Sequence, residues 1–119
     1  MSETPQESAA LLEPSIAHGV SDLVDYTDGG TVSREIAKST AGTVTLFAFD
    51  AGQGLSEHSA PFDAFVYVLE GTAELTIGGE AVEASGGELV VMPQDVPHAV
   101  QAPTRFKMLL VMLKGQPEG

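Results

Sequence analysis

The sequence predicts one all-β domain, a sandwich or barrel of short strands, and three observations predict it. Turn signals built on Gly, Pro, Asp and Ser recur from Asp28 onward, at the spacing of about eight to twelve residues typical of sandwiches and barrels. The segments between them are β-branched and aromatic, or alternate apolar and polar residues with period two. No long segment carries convincing helical periodicity.

The elements follow in chain order. Residues 1 to about 15 are small, polar and acidic, with Pro5 and Pro14, and read as a loose tail or a short helix over Ala9–Glu13. Ile16 to Tyr26 mixes apolar and polar residues in the manner of a helical turn leading into a strand, and Asp28-Gly29-Gly30 is a turn. From Thr31 the pattern is that of strands. Val44–Phe49 is β-branched and aromatic and ends at Asp50-Ala51-Gly52; Phe65–Leu69 is a buried-looking run ended by Glu70-Gly71. Ala73–Ile77 alternates, Gly78-Gly79 signals a two-residue hairpin, and Glu80–Ala84 returns. Leu89–Met92 ends at Pro93, and His98–Gln101 and Phe106–Leu113 supply the last strands. There is neither an internal repeat nor a linker between two cores.

Length and composition narrow the function classes. A chain of 119 residues is long enough for one core and not two. No apolar run approaches the roughly 18 residues of a membrane span. Met1–Glu13 carries no Lys or Arg ahead of its short apolar patch, which is not the pattern of a secretory signal, so the cytoplasm is the expected compartment. The chain has no cysteine, which removes disulfides, thiolate nucleophiles and Cys-type zinc sites. Seventeen Asp and Glu oppose five Lys and Arg. That balance argues against nucleic acid, whose affinity comes from neutralising phosphates, and against anionic membrane surfaces. Its ordinary meaning is solubility.

Two motifs carry the chemistry. Gly52 to Gly71 reads G-Q-G-L-S-E-H-S-A-P-F-D-A-F-V-Y-V-L-E-G, and Gly87 to His98 reads G-E-L-V-V-M-P-Q-D-V-P-H. The first resembles the first motif of the cupin family, G-x5-H-x-H-x3/4-E-x6-G; the second resembles its partner, G-x5-P-x-G-x2-H-x3-N. Fifteen residues, 72–86, separate them, close to the shortest spacer of single-domain cupins. The resemblance covers about residues 40 to 113. It implies a cupin-type double-stranded β-helix, or jelly-roll barrel, of the small RmlC-like kind over 31–115. A flexible or partly helical N-terminal arm over 1–30 would precede it, and the protein would be a homodimer.

In the family, two His from His-x-His, a Glu and the motif-two His complete a metal site. Here His58 and His98 occupy two of the four positions, while Ala60 and Ala64 stand at the second His and the Glu. Asp63 lies one residue from the Glu position, where a regular strand would turn it to the opposite face. Two readings stay open. One is a cavity without a dedicated metal that binds a small organic ligand between His58 and His98, with Gln53, Phe62, Met92, Met108 and Met112 as candidate lining. The other is a metal-dependent enzyme, of dioxygenase or isomerase type, holding one divalent Fe, Mn, Ni or Zn with Asp63 or Gln53 as third ligand. The two alanines favour the first, because they enlarge the inward face and make it more apolar. Glu57 is expected to point to solvent, His18 to lie on the surface or tail, and Arg34 to form a surface ion pair.

Overall fold

The computed structural model describes residues 8–115. Among them nine strands follow one short 3-10 helix, Val20–Leu23. The strands are β1 (Thr31–Ser39), β2 (Gly42–Phe49), β3 (Gly54–His58), β4 (Ala64–Glu70), β5 (Thr72–Ile77), β6 (Glu80–Ser85), β7 (Leu89–Met92), β8 (His98–Gln101) and β9 (Phe106–Leu113). They form a five-stranded sheet in the order β1-β2-β9-β4-β7 and a four-stranded sheet in the order β3-β8-β5-β6, and every pairing is antiparallel. The fold is a jelly roll.

Alternation along the strands builds the core between the sheets. On β4, Ala64, Val66 and Val68 are buried while Tyr67 is exposed. They meet Leu75 of β5, Val100 of β8 and Phe106 and Met108 of β9 in one apolar cluster. The hairpin at Gly78-Gly79 has positive φ at both residues, 59° and 84°. That pair of angles is what a primed two-residue turn requires, and glycine adopts it without steric cost.

β2 is apolar on both faces, and the fold uses both. Phe47 and Phe49 pack into the core between the sheets. Leu46 and Ala48 face outward and are covered by Val24 of the N-terminal arm, with Val20, Leu23 and Tyr26 around them. The arm therefore acts as a partial third layer.

The arm keeps the helical turn expected within Ile16–Tyr26, at Val20–Leu23, and differs from its sequence reading only nearer the N-terminus. In place of a short helix over Ala9–Glu13, the chain is extended and pairs with the edge of β1. Ala10 bridges Ala37, Leu11 N–H donates to Ile36 O at 2.8 Å and Lys38 N–H to Ala9 O at 2.9 Å. An edge strand's unpaired backbone groups outweigh the weak helical preference of five residues. The expected arm's residues 1–7 lie outside the described residues.

Polar groups pin the arm in place. Lys107, only 7% exposed, donates to Ser21 O at 2.6 Å and stands 5.0 Å from the Tyr26 ring centre. Tyr26 donates its hydroxyl to Glu70 at 2.8 Å; burial, then Glu70, holds its phenol above the ordinary range. Arg105 stacks on the same ring and binds Asp50 at 2.7 Å, with Asp28 as a second partner. Arg34 donates to the Leu23 carbonyl at 3.1 Å, so the expected surface ion pair is instead a tie to the arm.

Asp50 also accepts from the Gly29 N–H at 2.6 Å. That bond, followed by Arg105, holds its carboxyl down at about 2 against an ordinary 3.8. A carboxyl depressed on folding stabilises the native state above its unfolded pKa and loses that contribution as pH falls towards the folded value. Urea midpoints of the wild type should therefore fall more steeply between pH 4 and pH 2 than those of Asp50→Asn; equal slopes would exclude this anchor.

Candidate functional site

The site begins with an irregularity in an edge strand. β3 pairs with β8 through Gly54↔Gln101 and Leu55↔Val100, and then the register slips so that His58 sits opposite His98. Unbroken alternation would put Leu55 and Glu57 on one face and His58 on the other. The bulge reverses that parity. Leu55 and His58 both line one cavity, and Glu57 is exposed. Bulges commonly re-aim side chains beside functional sites.

Across from the bulge, Asp95 adopts φ +64°, a left-handed conformation that Asp tolerates better than most residues. Its N–H donates to Ala60 O at 2.7 Å, tying the loop before His98 to the loop after His58. Close backbone approach fixes β3 as well: a Cβ on Gly54 would meet Val100 O at 2.1 Å.

The two rings lie edge to face, with centroids 4.5 Å apart and Nε2 atoms 3.2 Å apart. Each Nδ1 bonds a carbonyl two residues earlier, His58 to Ser56 O at 2.8 Å and His98 to Val96 O at 3.2 Å. A carbonyl oxygen only accepts, so both Nδ1 atoms carry the proton. With both Nδ1 protons committed, the Nε2···Nε2 contact is a hydrogen bond when one ring carries a second proton, which the other ring's lone pair then accepts. His58 is exposed and His98 is 4% exposed. Burial, then the charge of His58, pushes the His98 pKa below its ordinary 6.5, which favours its neutral form.

The rest of the cavity, about 270 Å³, is apolar. Phe62, Met92 and Met108 line it with the two histidines, as do Ala60, Ala64 and Met112. Leu55, Val100 and Leu110 complete it and were not singled out from the sequence. Leu110 lies between Met108 and Met112 on the inward face of β9, so period two would have found it; Leu55 was hidden by the bulge.

Two expected residues lie elsewhere. Gln53 lines a separate polar groove with Ser56, Glu74 and Gln101, because its turn after β2 opens on the other side of β3. Asp63 is exposed, and its carboxylate accepts from Gln94 N–H at 2.9 Å, bracing the loop after β7. Neither stands with the histidines. His18 is half-buried in the arm, against Glu13 O at 2.9 Å.

Residues 45–113 match the family model described as the cupin domain. The chain belongs to the cupin domain family. Among solved structures, a conserved protein of unknown function from Streptococcus pyogenes is 32% identical with a TM-score of 0.88, covering 96% of this chain and 100% of that one. A cupin 2 conserved barrel domain protein from Leptotrichia buccalis is 35% identical with a TM-score of 0.77; the match covers 79% of this chain and 46% of that one. Salicylate 1,2-dioxygenase from Pseudoaminobacter salicylatoxidans, solved as adducts with gentisate, shares the fold at 19% identity and a TM-score of 0.65, over 71% of this chain and 25% of its own. No curated protein matches this sequence. No described helix is long and apolar enough to cross a membrane.

The cupin fold implies a transition metal at the histidines, and the donor set tests that. Non-haem iron sites take two His and a carboxylate, and catalytic zinc takes three protein ligands. Among the described residues no group of three or more His, Cys, Asp or Glu converges; two nitrogen donors stand in an otherwise apolar cavity. This set does not fit a resident divalent Fe, Mn, Ni or Zn.

The geometry of β3 yields a prediction. Gly54→Ala forces the edge strand away from β8. It should destabilise the protein by about 1–3 kcal/mol and weaken any binding that needs both imidazoles. Unchanged urea stability would show that β3 is not held by this contact.

Proposed function

We propose that this cupin binds a small organic molecule with an apolar body and one polar end, the polar end meeting His58 and His98. The observation that carries the reading is the lining itself: nine apolar side chains and two imidazoles around one cavity. Ligand sites are typically mostly apolar, with a few polar groups that fix orientation. A volume of about 270 Å³ falls just below the usual range of about 300–1,000 Å³, which favours a molecule the size of a single substituted ring. The alanines at 60 and 64 support the reading, since larger residues there would fill the space.

Ala60→Leu should therefore leave the fold intact and abolish retention of a small aromatic probe, followed by ligand-observed NMR on metal-free protein. His58→Ala should weaken binding without removing it, because the apolar walls remain. Probe binding unaffected by Ala60→Leu would rule the cavity out.

The same proposal includes a homodimer. Tyr67, Leu89 and Val91 are 39–59% exposed on the outward face of β4 and β7, beyond the part the arm covers. Apolar patches of this kind commonly mark association surfaces. Light scattering should give a mass near twice 12.3 kDa, and Leu89→Lys should return it to the monomer value; a wild-type monomer would contradict it.

A further inference from the structure

The chemistry of the ligand's polar end follows from what the cavity can donate and what it can accept. Each Nδ1–H already donates to a backbone carbonyl, His58 to Ser56 O and His98 to Val96 O. A neutral pair therefore presents only acceptors, two Nε2 atoms 3.2 Å apart. No Lys, Arg, Asp or Glu lines the cavity, and every other side chain there is apolar. A guest's polar end has to bring its own donor.

Among donors, charge singles out an acid. One proton added to the pair completes the Nε2–H···Nε2 bond and leaves a single positive charge in a cavity without a carboxylate. Burial disfavours that charge on His98, so it resides on His58, which is exposed. A charge beside apolar walls is costly unless an opposite charge meets it. The protein does not supply one. Glu57 is exposed, Asp63 is exposed and accepts from Gln94 N–H, and exposed Asp95 lies on the loop before β8; β4, β7, β8 and β9 bring no titratable side chain to the cavity besides His98. A carboxylic acid supplies both parts. Its proton passes from oxygen to Nε2, the O–H electron pair stays on oxygen, and the complex carries no net charge. A neutral amide donates but leaves the pair without its proton, an ammonium brings a positive charge that nothing balances, and a dianionic phosphate leaves one negative charge over.

We infer that the cavity selects carboxylic acids, each bound as a carboxylate with one proton on the His58–His98 pair. The inference rests on the organic-ligand reading and names the chemistry of that ligand's polar end. It calls for no metal. The chain's net charge of −12 opposes an anion at long range, and salt at about 0.15 M screens that repulsion beyond about 8 Å.

The test compares three probes of similar shape, benzoate, benzamide and benzylamine, on the full metal-free chain with a chelator present and salt at about 0.15 M. Calorimetry or NMR titration gives each affinity. At pH 6 benzoate should bind at least tenfold more tightly than either of the others. Its affinity should fall as pH rises to 8, because above the ordinary imidazole range the bound proton has to be drawn from water, while benzamide affinity stays level. His58→Ala, at an exposed position that puts the fold at little risk, should lower the benzoate-to-benzamide ratio at least fivefold and still hold benzamide. Benzamide or benzylamine bound as tightly as benzoate, a benzoate affinity independent of pH, or a ratio unchanged in His58→Ala would each overturn the inference. Equal retention of benzoate and benzamide, lost together in Ala60→Leu, removes the acid preference and leaves the ligand reading standing; retention of neither removes both.

Discussion

One extra residue between Leu55 and His58 decides what the interior of this barrel can do. Strand pairing has a period of two, so a single-residue slip moves every later side chain to the opposite face. The slip in the β3–β8 ladder turns His58 from solvent to the cavity and sets it opposite His98. The paired imidazoles and the outward Glu57 follow from that one irregularity. The close approach of Gly54 to Val100 and the backbone bond from Asp95 to Ala60 hold the two sides of the slip together.

The five-stranded sheet is organised by a second constraint, that its outer face is largely apolar on β2, with Leu46 and Ala48 needing cover. The arm solves this for β2, where Val24 covers Leu46 and Ala48. It is held there by cations rather than by depth of burial alone. Lys107 and Arg105, two of only five basic residues in a chain of net charge −12, both sit on Tyr26. Scarce positive charge is concentrated where the arm meets the barrel and is matched there by Glu70, Asp50 and Asp28.

Much of the architecture was legible in the residues. Period-two alternation in Ala73–Ile77, the Gly78-Gly79 turn and the stop at Pro93 each reflect a local rule that tertiary packing did not override. The extended course of Ala9–Leu11 was not legible, because its pairing is owed to the distant β1 edge. β3 was faint for a related reason. Gly54-Leu55-Ser56-Glu57 has no β-branched or aromatic residue, and it is a strand only because β8 accepts it. Gln53 and Asp63 are near His58 and Ala64 in sequence but do not line the cavity. The turn carries Gln53 to the far side of β3, and Asp63 braces a loop. Sequence distance is a poor guide wherever a bulge or a tight turn intervenes.

The histidine pair spans a seam of unequal strength. His98 belongs to β8, which has a neighbour on each side, whereas His58 belongs to β3, which has β8 alone. Four of the five β3 residues are exposed. Fraying of an outermost strand disturbs one ladder and leaves the rest of the sheet intact. The wall nearest the imidazoles is thus also the one that breathes at least cost, so entry to the cavity and the integrity of its polar end are governed by the same few hydrogen bonds.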